Sequence, residues 1–210
     1  MRSFWSEPFL WIHLAGLAAL PIFLGLCWLG LAVGSPLLPV WLEVFLVGAA
    51  GIGPVLWMQW FRPFYIFSIL VVAVKPQNLT NAQQRILAGF KSRLNQGLAL
   101  FLAILLAVIL WQLYRFSPLA ASVAPFPPQW RLAGLLLAAG AFLASNLFLQ
   151  VPASVLAVLL TPESELAARQ PHVLDKVGLD FTIAGWQVDR ILPTFAEAGD
   201  RGTPEEGDGI

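Results

Sequence analysis

Long, almost uncharged apolar stretches constrain this chain more than any other feature of its sequence. Four of them cover about residues 8–33, 38–60, 97–116 and 130–160. Each reaches the roughly 20 residues that a helix needs to cross the hydrocarbon core of a bilayer. The composition agrees, because 58% of the residues are hydrophobic, only 11% are charged and the mean hydropathy is +0.75. The sequence therefore predicts an all-α integral membrane protein, with a bundle of four transmembrane helices in residues 1–161.

The distribution of basic residues predicts the orientation of the bundle. With four spans, both chain ends and the middle loop, 61–96, lie on the same side of the membrane. Of the 12 Lys and Arg residues, only Arg115 and Arg131 fall on the other side. Because positive residues are retained on the cytoplasmic side, we expect both termini to be cytoplasmic.

The middle loop contains two segments that we expect to lie at the membrane surface. Segment 64–74 is apolar but too short to cross, which favours a re-entrant or interfacial helix. A capping-box pattern at Thr80 then predicts an amphipathic helix over 81–95; a polar connector with incidental periodicity is the alternative. The basic residues beside its apolar face form a predicted rim for lipid headgroups: Arg85, Lys91 and Arg93.

The chain after the last span divides into two parts by composition. Residues 162–192 keep an apolar pattern and are predicted to be a cytoplasmic docking segment, as a small hairpin or as an extended segment against a partner. Its partner-binding residues are expected to be Leu179, Phe181, Ile183, Trp186 and Val188, with the two aromatic residues as anchors. Residues 193–210 are rich in Gly, Glu, Asp and Pro, which predicts a disordered low-complexity tail.

Small residues indicate which spans pack together. The fourth span carries Gly134-x-x-x-Ala138 and Gly140-x-x-x-Ala144, spacings that let helix backbones approach closely in lipid. We therefore expect it to be an interior helix in which Gly140→Leu disturbs packing. The third span is almost purely Leu, Ala, Ile and Val between residues 98 and 110, so it is expected to be the most lipid-exposed.

Few polar residues lie within the spans, where catalysis or transport would place them. Glu43 lies near the end of the second span and is expected to be solvated. Asn146 and Gln150 share one helix face and are expected to form interhelical hydrogen bonds. His13 is a candidate axial ligand for a chlorophyll; hydrogen bonding to lipid or backbone is the alternative.

Other kinds of site find no support in the sequence. Cys27 is the single cysteine, so neither an internal disulfide nor a thiolate metal cage can form. Phosphate-binding loops, His-Glu metal motifs and nucleophile elbows do not occur. The net charge is +0, which gives no indication of nucleic acid as a partner. We therefore expect no catalytic residues, no metal site and no enzyme activity.

Three strings of sequence resemble a known family. They are MRSFWSEPFLWIHLAGLA at residues 1–18, RPFYIFS at 62–68 followed by KP at 75–76, and LDF at 179–181 followed by Trp186. Over about residues 1–192 the chain resembles the cyanobacterial low-complexity-tail membrane proteins. The resemblance implies a thylakoid or plasma membrane and association with a photosystem or its biogenesis. It implies no active-site residues.

Two classes of function remain open from the sequence. The first is a non-catalytic scaffold or assembly factor for a larger membrane complex, with membrane lipids and that complex, by the resemblance a photosystem, as partners and no required cofactor. The second is a small transporter, channel or pigment carrier that uses Asn146, Gln150 or His13, with chlorophyll or carotenoid as the pigment.

Overall fold

The computed structural model describes residues 3–69 and 71–192. In this part of the chain four helical stretches are long and apolar enough to cross a membrane, which confirms the predicted fold class: Pro8–Leu31, Val40–Phe61, Arg93–Val123 and Pro128–Leu160. The predicted disordered tail, 193–210, lies outside the described residues.

The first span is interrupted near its middle. It consists of α1 (Pro8–Ala15), a 3-10 turn (Gly16–Ala19) and α2 (Leu20–Leu31). Pro21 stands in the first turn of α2. Since proline has no N–H to donate to the preceding turn, the tighter turn precedes it and α2 begins afresh.

The other spans are α3 (Val40–Phe61), α5 (Arg93–Phe116) and α6 (Arg131–Leu160), and α6 lies at the centre of the bundle. It packs against α1, α2, α3 and α5, so the expected interior position of the fourth span is confirmed. The expectation for the third span is wrong. In the most apolar part of each span, 28% of the third span is buried, compared with 17% of the first. The third span is the more buried of the two because one face of α5 packs inside the bundle.

Glycines allow the backbones of α2 and α6 to approach each other closely. A Cβ on Gly30 would lie 2.6 Å from the carbonyl oxygen of Gly134, and a Cβ on Gly134 would lie 2.6 Å from the side chain of Val33. The two backbones are therefore in contact here, and an alanine at either of the two positions would force the helices apart. Gly140 faces open space, so the expectation that it packs is wrong.

Several segments lie outside the spans, on the side of the bundle where the described part of the chain begins and ends. They fold together into a unit that we call the cap. The cap comprises residues 3–7, 62–92 and 161–192. It contains α4 (Asn81–Phe90), α7 (Glu163–Ala168), α8 (Leu174–Asp180) and strands β1 (Ser68–Ile69), β2 (Val72–Val74) and β3 (Trp186–Val188). Its core is continuous with the ends of α1 and α6, since Phe9 and Val155 belong to it together with Tyr65, Phe67 and Phe181.

Segment 64–74 is not a re-entrant or interfacial helix. β1 and β2 form an antiparallel pair, with Ser68 opposite Ala73, and β3 adds to β2 in parallel, with Val72 opposite Trp186. The segment is apolar because most of it is buried in the cap core, rather than because it enters a membrane.

The amphipathic helix of the loop is present but shorter than predicted. Thr80 and Gln83 form both hydrogen bonds of the capping box, as the sequence indicated. The helix ends at Phe90, and Ser92 caps the start of α5. Its apolar face packs against the cap core through Ile86 and Leu87, so the chain itself covers the surface that was expected to lie on lipid.

Candidate functional site

A buried ion pair holds three spans together on the side of the bundle opposite the cap. Arg131 and Glu43 are 2% and 0% exposed, and the Nε and Nη2 atoms of Arg131 both donate to Oε2 of Glu43, Nε at 3.2 Å. Nη1 of Arg131 donates to the carbonyl oxygens of Leu31 at 2.7 Å and Val33 at 2.9 Å. The pair thus links the C-terminal end of α2 to the first turns of α3 and α6.

The location of the ion pair follows from the unsatisfied backbone groups at helix ends. The last carbonyls of α2 have no helical donor and carry a partial negative charge, so they favour a guanidinium. Glu43 lies in the first turn of α3, where a negative charge is favoured, and its Oε1 accepts from the N–H groups of Leu37 and Leu38. The expectation that Glu43 is solvated is wrong, because the sequence does not show that Arg131 lies beside it.

Asn146 and Gln150 form a short hydrogen-bonded chain between α6 and α3. Nδ2 of Asn146 donates to the carbonyl oxygen of Gly51 at 3.0 Å, and Nε2 of Gln150 donates to Oδ1 of Asn146 at 2.9 Å. Both side chains are fully buried. The expected interhelical hydrogen bond is therefore present for Asn146, with backbone near Pro54 as its acceptor, whereas the expectation for Gln150 is wrong because its bond lies within α6. Oε1 of Gln150 is buried and has no hydrogen-bond partner among the described residues.

His13 is half-buried in α1 and faces the cap. Its Nδ1 lies 2.8 Å from the carbonyl oxygen of Phe9, one helical turn earlier, and its ring lies 5.6 Å from the ring of Phe64. A carbonyl accepts only from a protonated nitrogen, which assigns the Nδ1–H tautomer to the neutral ring. The lone pair is then on Nε2, the arrangement that metal-ligating histidines adopt.

The five residues expected to bind a partner separate into buried and exposed ones. Phe181 is 0% exposed and belongs to the cap core, so the expectation that it anchors a partner is wrong. Ile183 and Val188 are partly buried. Trp186 and Leu179 are 77% and 74% exposed. The apolar alternation of this segment arises largely from docking onto the chain's own loop.

Hydrogen bonds from the backbone and side chains of the middle loop hold the segment after the last span in place. Nη2 of Arg62 donates to the carbonyl oxygens of Gly178 at 2.6 Å and Phe181 at 3.1 Å. Thr182 donates its N–H to the carbonyl of Pro63, and its own carbonyl accepts from the N–H of Tyr65. Of the two forms that the sequence left open, the extended one is present from Phe181 onward, and its partner is this same chain, whereas Leu179 lies in α8.

Gly185 makes the turn into β3 possible. Its φ is +90°, and a Cβ there would lie 2.0 Å from the carbonyl oxygen of Val71. Trp186 donates its N–H to that same carbonyl at 2.8 Å. Only glycine fits this position, so the exposed indole of Trp186 stands beside Val71 on a fixed backbone.

A charge cluster also joins the loop to the tail segment. Asp180 lies 2.9 Å from Nζ of Lys91 and 3.1 Å from Nε2 of His172. The hydrogen bond from Lys91, followed by the positive charges nearby, holds the pKa of Asp180 below its ordinary value. Of the expected lipid-facing basic rim, Lys91 is thus directed to the tail segment, Arg85 is half-buried and Arg93 is exposed. Lipid contact by this rim stays a prediction.

Comparison with known proteins defines the family but offers no characterised relative. Among the described residues, no three His, Cys, Asp or Glu side chains are grouped so that they could hold a metal ion. No curated protein and no solved structure matches the chain. Residues 6–193 match the family described as low-complexity tail membrane protein-like. Because this match covers nearly all of the chain, the protein belongs to that family of membrane proteins.

Proposed function

We propose that this integral membrane protein is a non-catalytic scaffold or assembly factor for a larger membrane complex. The observation that carries the proposal is the cap, a folded unit whose exposed apolar residues include Trp186, Leu179 and Val71. Aromatic residues on a rigid surface provide most of the binding energy at protein interfaces. Of the two expected anchors, Trp186 therefore remains the proposed anchor of the partner contact.

The spans themselves support the same class of function. The Glu43–Arg131 pair and the bond from Asn146 to the backbone of α3 each join spanning helices. A transporter would need polar groups along a path, and it would need them free to exchange partners. The bonds described above favour a static bundle over a small transporter or channel.

The family resemblance guides the choice of complex and membrane. We propose a photosystem, or an intermediate of its assembly, in a cyanobacterial thylakoid or plasma membrane. A tagged copy isolated from mildly solubilised membranes of the native host should carry photosystem subunits that mass spectrometry identifies. Trp186→Ala should lose them, whereas Trp57→Ala, an exposed tryptophan on the spanning helix α3, should retain them. Retention by both variants would contradict the anchor, and the lack of any photosystem subunit with the parent would contradict the complex.

From the distribution of basic residues we also propose that both termini are cytoplasmic, and a separate experiment tests this orientation. In a Cys27→Ala background, Lys176→Cys places a thiol on the cap and Leu119→Cys places one on the opposite side; both positions are exposed. When the protein is expressed in the plasma membrane of a bacterial host, a membrane-impermeant maleimide applied outside intact cells should label position 119 alone. Labelling of position 176 instead would place the cap outside the cytoplasm.

A second candidate, a pigment-carrying protein, is favoured by the geometry of His13. Its Nδ1 is fixed by Phe9 and its Nε2 has the lone pair that a chlorophyll magnesium would require. We expect pigment, if carried, to co-purify with the parent and to be lost from His13→Phe, measured by absorbance per protein. Equal spectra for parent and variant would exclude His13 as the ligand. Carotenoid without chlorophyll in the parent would favour a site elsewhere in the bundle.

A further inference from the structure

A pocket of about 330 Å³ opens at the end of the bundle opposite the cap. Its lining comes from the end of α2, the end of α5 and the 3-10 helix that follows α5, Ser117–Val123. Leu31, Pro118 and Ala121 are among its apolar residues. The volume lies at the lower end of the roughly 300–1,000 Å³ of sites for small ligands. The pocket therefore has room for one compact group, such as the headgroup of a lipid.

The polar side chains of this pocket include hydrogen-bond donors that the described chain does not use. The hydroxyl of Tyr114 is accessible and has no hydrogen-bond partner among the described residues. The indole of Trp111 is exposed, its N–H has no such partner either, and its ring stacks on that of Tyr114 with centroids 6.4 Å apart. Tyr and Trp rings with free polar tips are typical of the level of lipid headgroups. Both donors are thus available to a ligand with acceptor atoms.

Arg115 gives the pocket a positive charge without a counter-charge in the described part of the chain. The residue is exposed and forms no ion pair with any described residue. The charge of the second arginine in the lining, Arg131, is offset by Glu43. Residues 32–39 and 117–130, which connect the spans at this end, contain neither Asp nor Glu. An anion at the pocket is therefore attracted, and no carboxylate of these connections repels it.

An apolar stripe on α5 leads to this pocket. Its members lie three or four residues apart, all are exposed, and the last of them carries the charge: Ile104, Val108, Trp111 and Arg115. Residues at this spacing share one face of a helix. Since α5 ends at Phe116, Arg115 lies at the level of the headgroups and the members before it lie beside acyl chains. A lipid whose acyl chain follows the stripe therefore has its headgroup at the pocket.

The charge and the stripe together select the kind of ligand. A free anion would meet the donors but would leave the stripe without a contact. A zwitterionic headgroup also carries an ammonium group, for which the lining offers no carboxylate. An uncharged headgroup gains no attraction from Arg115. An anionic phospholipid uses the charge, the donors and the stripe at once.

We propose that this pocket binds the headgroup of an anionic phospholipid. Its phosphate accepts from Arg115 and from the hydroxyl of Tyr114, and an acyl chain follows the stripe past Val108. The site is independent of the partner contact at Trp186, which lies on the cap.

The test identifies the lipid that lies on the stripe of the full-length protein. A photoreactive benzoylphenylalanine replaces Val108, and the protein is reconstituted in nanodiscs with equal amounts of phosphatidylglycerol and phosphatidylethanolamine that have the same acyl chains. After irradiation, mass spectrometry gives the ratio of the two lipid adducts. The same replacement at Leu46, exposed on α3, gives the reference ratio. We expect the ratio of phosphatidylglycerol to phosphatidylethanolamine at position 108 to be about five times the reference, the effect of one partly screened charge contact.

Two variants test the residues that define the site. Arg115→Gln removes the charge and should bring the ratio at position 108 down to the reference. Ala121→Trp introduces a large ring into the pocket and should do the same without altering the charge. Arg93→Gln is the matched control, because it removes an exposed arginine from the other end of the same helix, and it should leave the ratio at position 108 unchanged.

Inorganic phosphate distinguishes a lipid from a free anion as the occupant. Excess sodium phosphate should lower the ratio no more than sodium chloride of the same ionic strength, because free phosphate has no acyl chain to hold it at the stripe. A ratio at position 108 that is no higher than the reference, or that persists in Arg115→Gln or in Ala121→Trp, would overturn the proposal. So would an equal fall in Arg93→Gln. Loss of the preference in phosphate alone would assign the pocket to a free anion instead.

Discussion

Removal of the charge on Glu43 tests whether the buried ion pair holds the spans together. In Glu43→Gln the side chain keeps its size and an oxygen that can accept from the N–H groups of Leu37 and Leu38. The guanidinium of Arg131 stays buried at 2% exposure without a counter-charge. Breaking a buried pair in this way costs about 3–5 kcal/mol. That is a large part of the 5–15 kcal/mol by which a typical domain is stable.

The assay is equilibrium unfolding in mixed micelles, with helicity followed as the fraction of denaturing detergent increases. Glu43→Gln should unfold at a clearly lower fraction than the parent. The double variant Glu43→Gln/Arg131→Met removes the orphan charge, so it should be less destabilised than Glu43→Gln alone. Some loss should persist in the double variant, because methionine cannot donate to the carbonyls of Leu31 and Val33.

An exposed ion pair provides the matched control. Lys75 and Asp189 are 2.8 Å apart on the cap surface, with side chains 43% and 78% exposed. Water screens such a pair, so Asp189→Asn should leave the unfolding transition of the spans unchanged. If Glu43→Gln unfolds together with the parent and with Asp189→Asn, the pair does not stabilise the bundle and this reasoning is refuted.

Three further predictions concern the helix contact and the cap. Gly134→Leu should force α2 away from α6 and lower the unfolding free energy by about 1–3 kcal/mol or more. Gly140→Leu should be tolerated, because Gly140 faces open space. Equal resistance of the two variants to denaturing detergent would contradict the contact between α2 and α6. Phe181→Ala should destabilise the cap by about 3–5 kcal/mol, measured by protease sensitivity, while Trp186→Ala should not. Because the native pKa of Asp180 lies below its ordinary value, its ionised form stabilises the cap above about pH 4. The protection of the β3 amides, corrected for the intrinsic exchange rate at each pH, should fall as acidification protonates Asp180. Asp180→Asn should abolish that pH dependence.

The spans could be predicted from sequence because each is determined by its own composition. Length and hydropathy define α3, α5 and α6, and the capping box at Thr80 defines the start of α4. Each of these signals lies within one stretch of sequence, so it can be recognised without knowing what that stretch contacts.

The contacts could not be predicted because they join residues distant in the chain. Arg131 lies 88 residues from Glu43, and nothing local to either indicates the other. Phe181 presents the same difficulty, since an apolar residue in a tail has the same pattern whether a partner or its own chain buries it. The apolar residues of segment 64–74 favour the membrane surface for the same reason, although most of them are buried in the cap core together with Val155 and Phe181.

The cap cannot be completed until the segment after the last span has been synthesised. Arg62 and Gly178, which it joins, are 116 residues apart, and the last two spans lie between them. At a synthesis rate of roughly 5–20 residues per second, the loop that follows α3 waits on the order of ten seconds for its partner strand. During that interval Tyr65 and Phe67 have no tail segment to cover them. The apolar residues of the loop therefore stay uncovered until β3 has been made, and a ribosome that stops before β3 leaves a chain that has its spans but no closed cap.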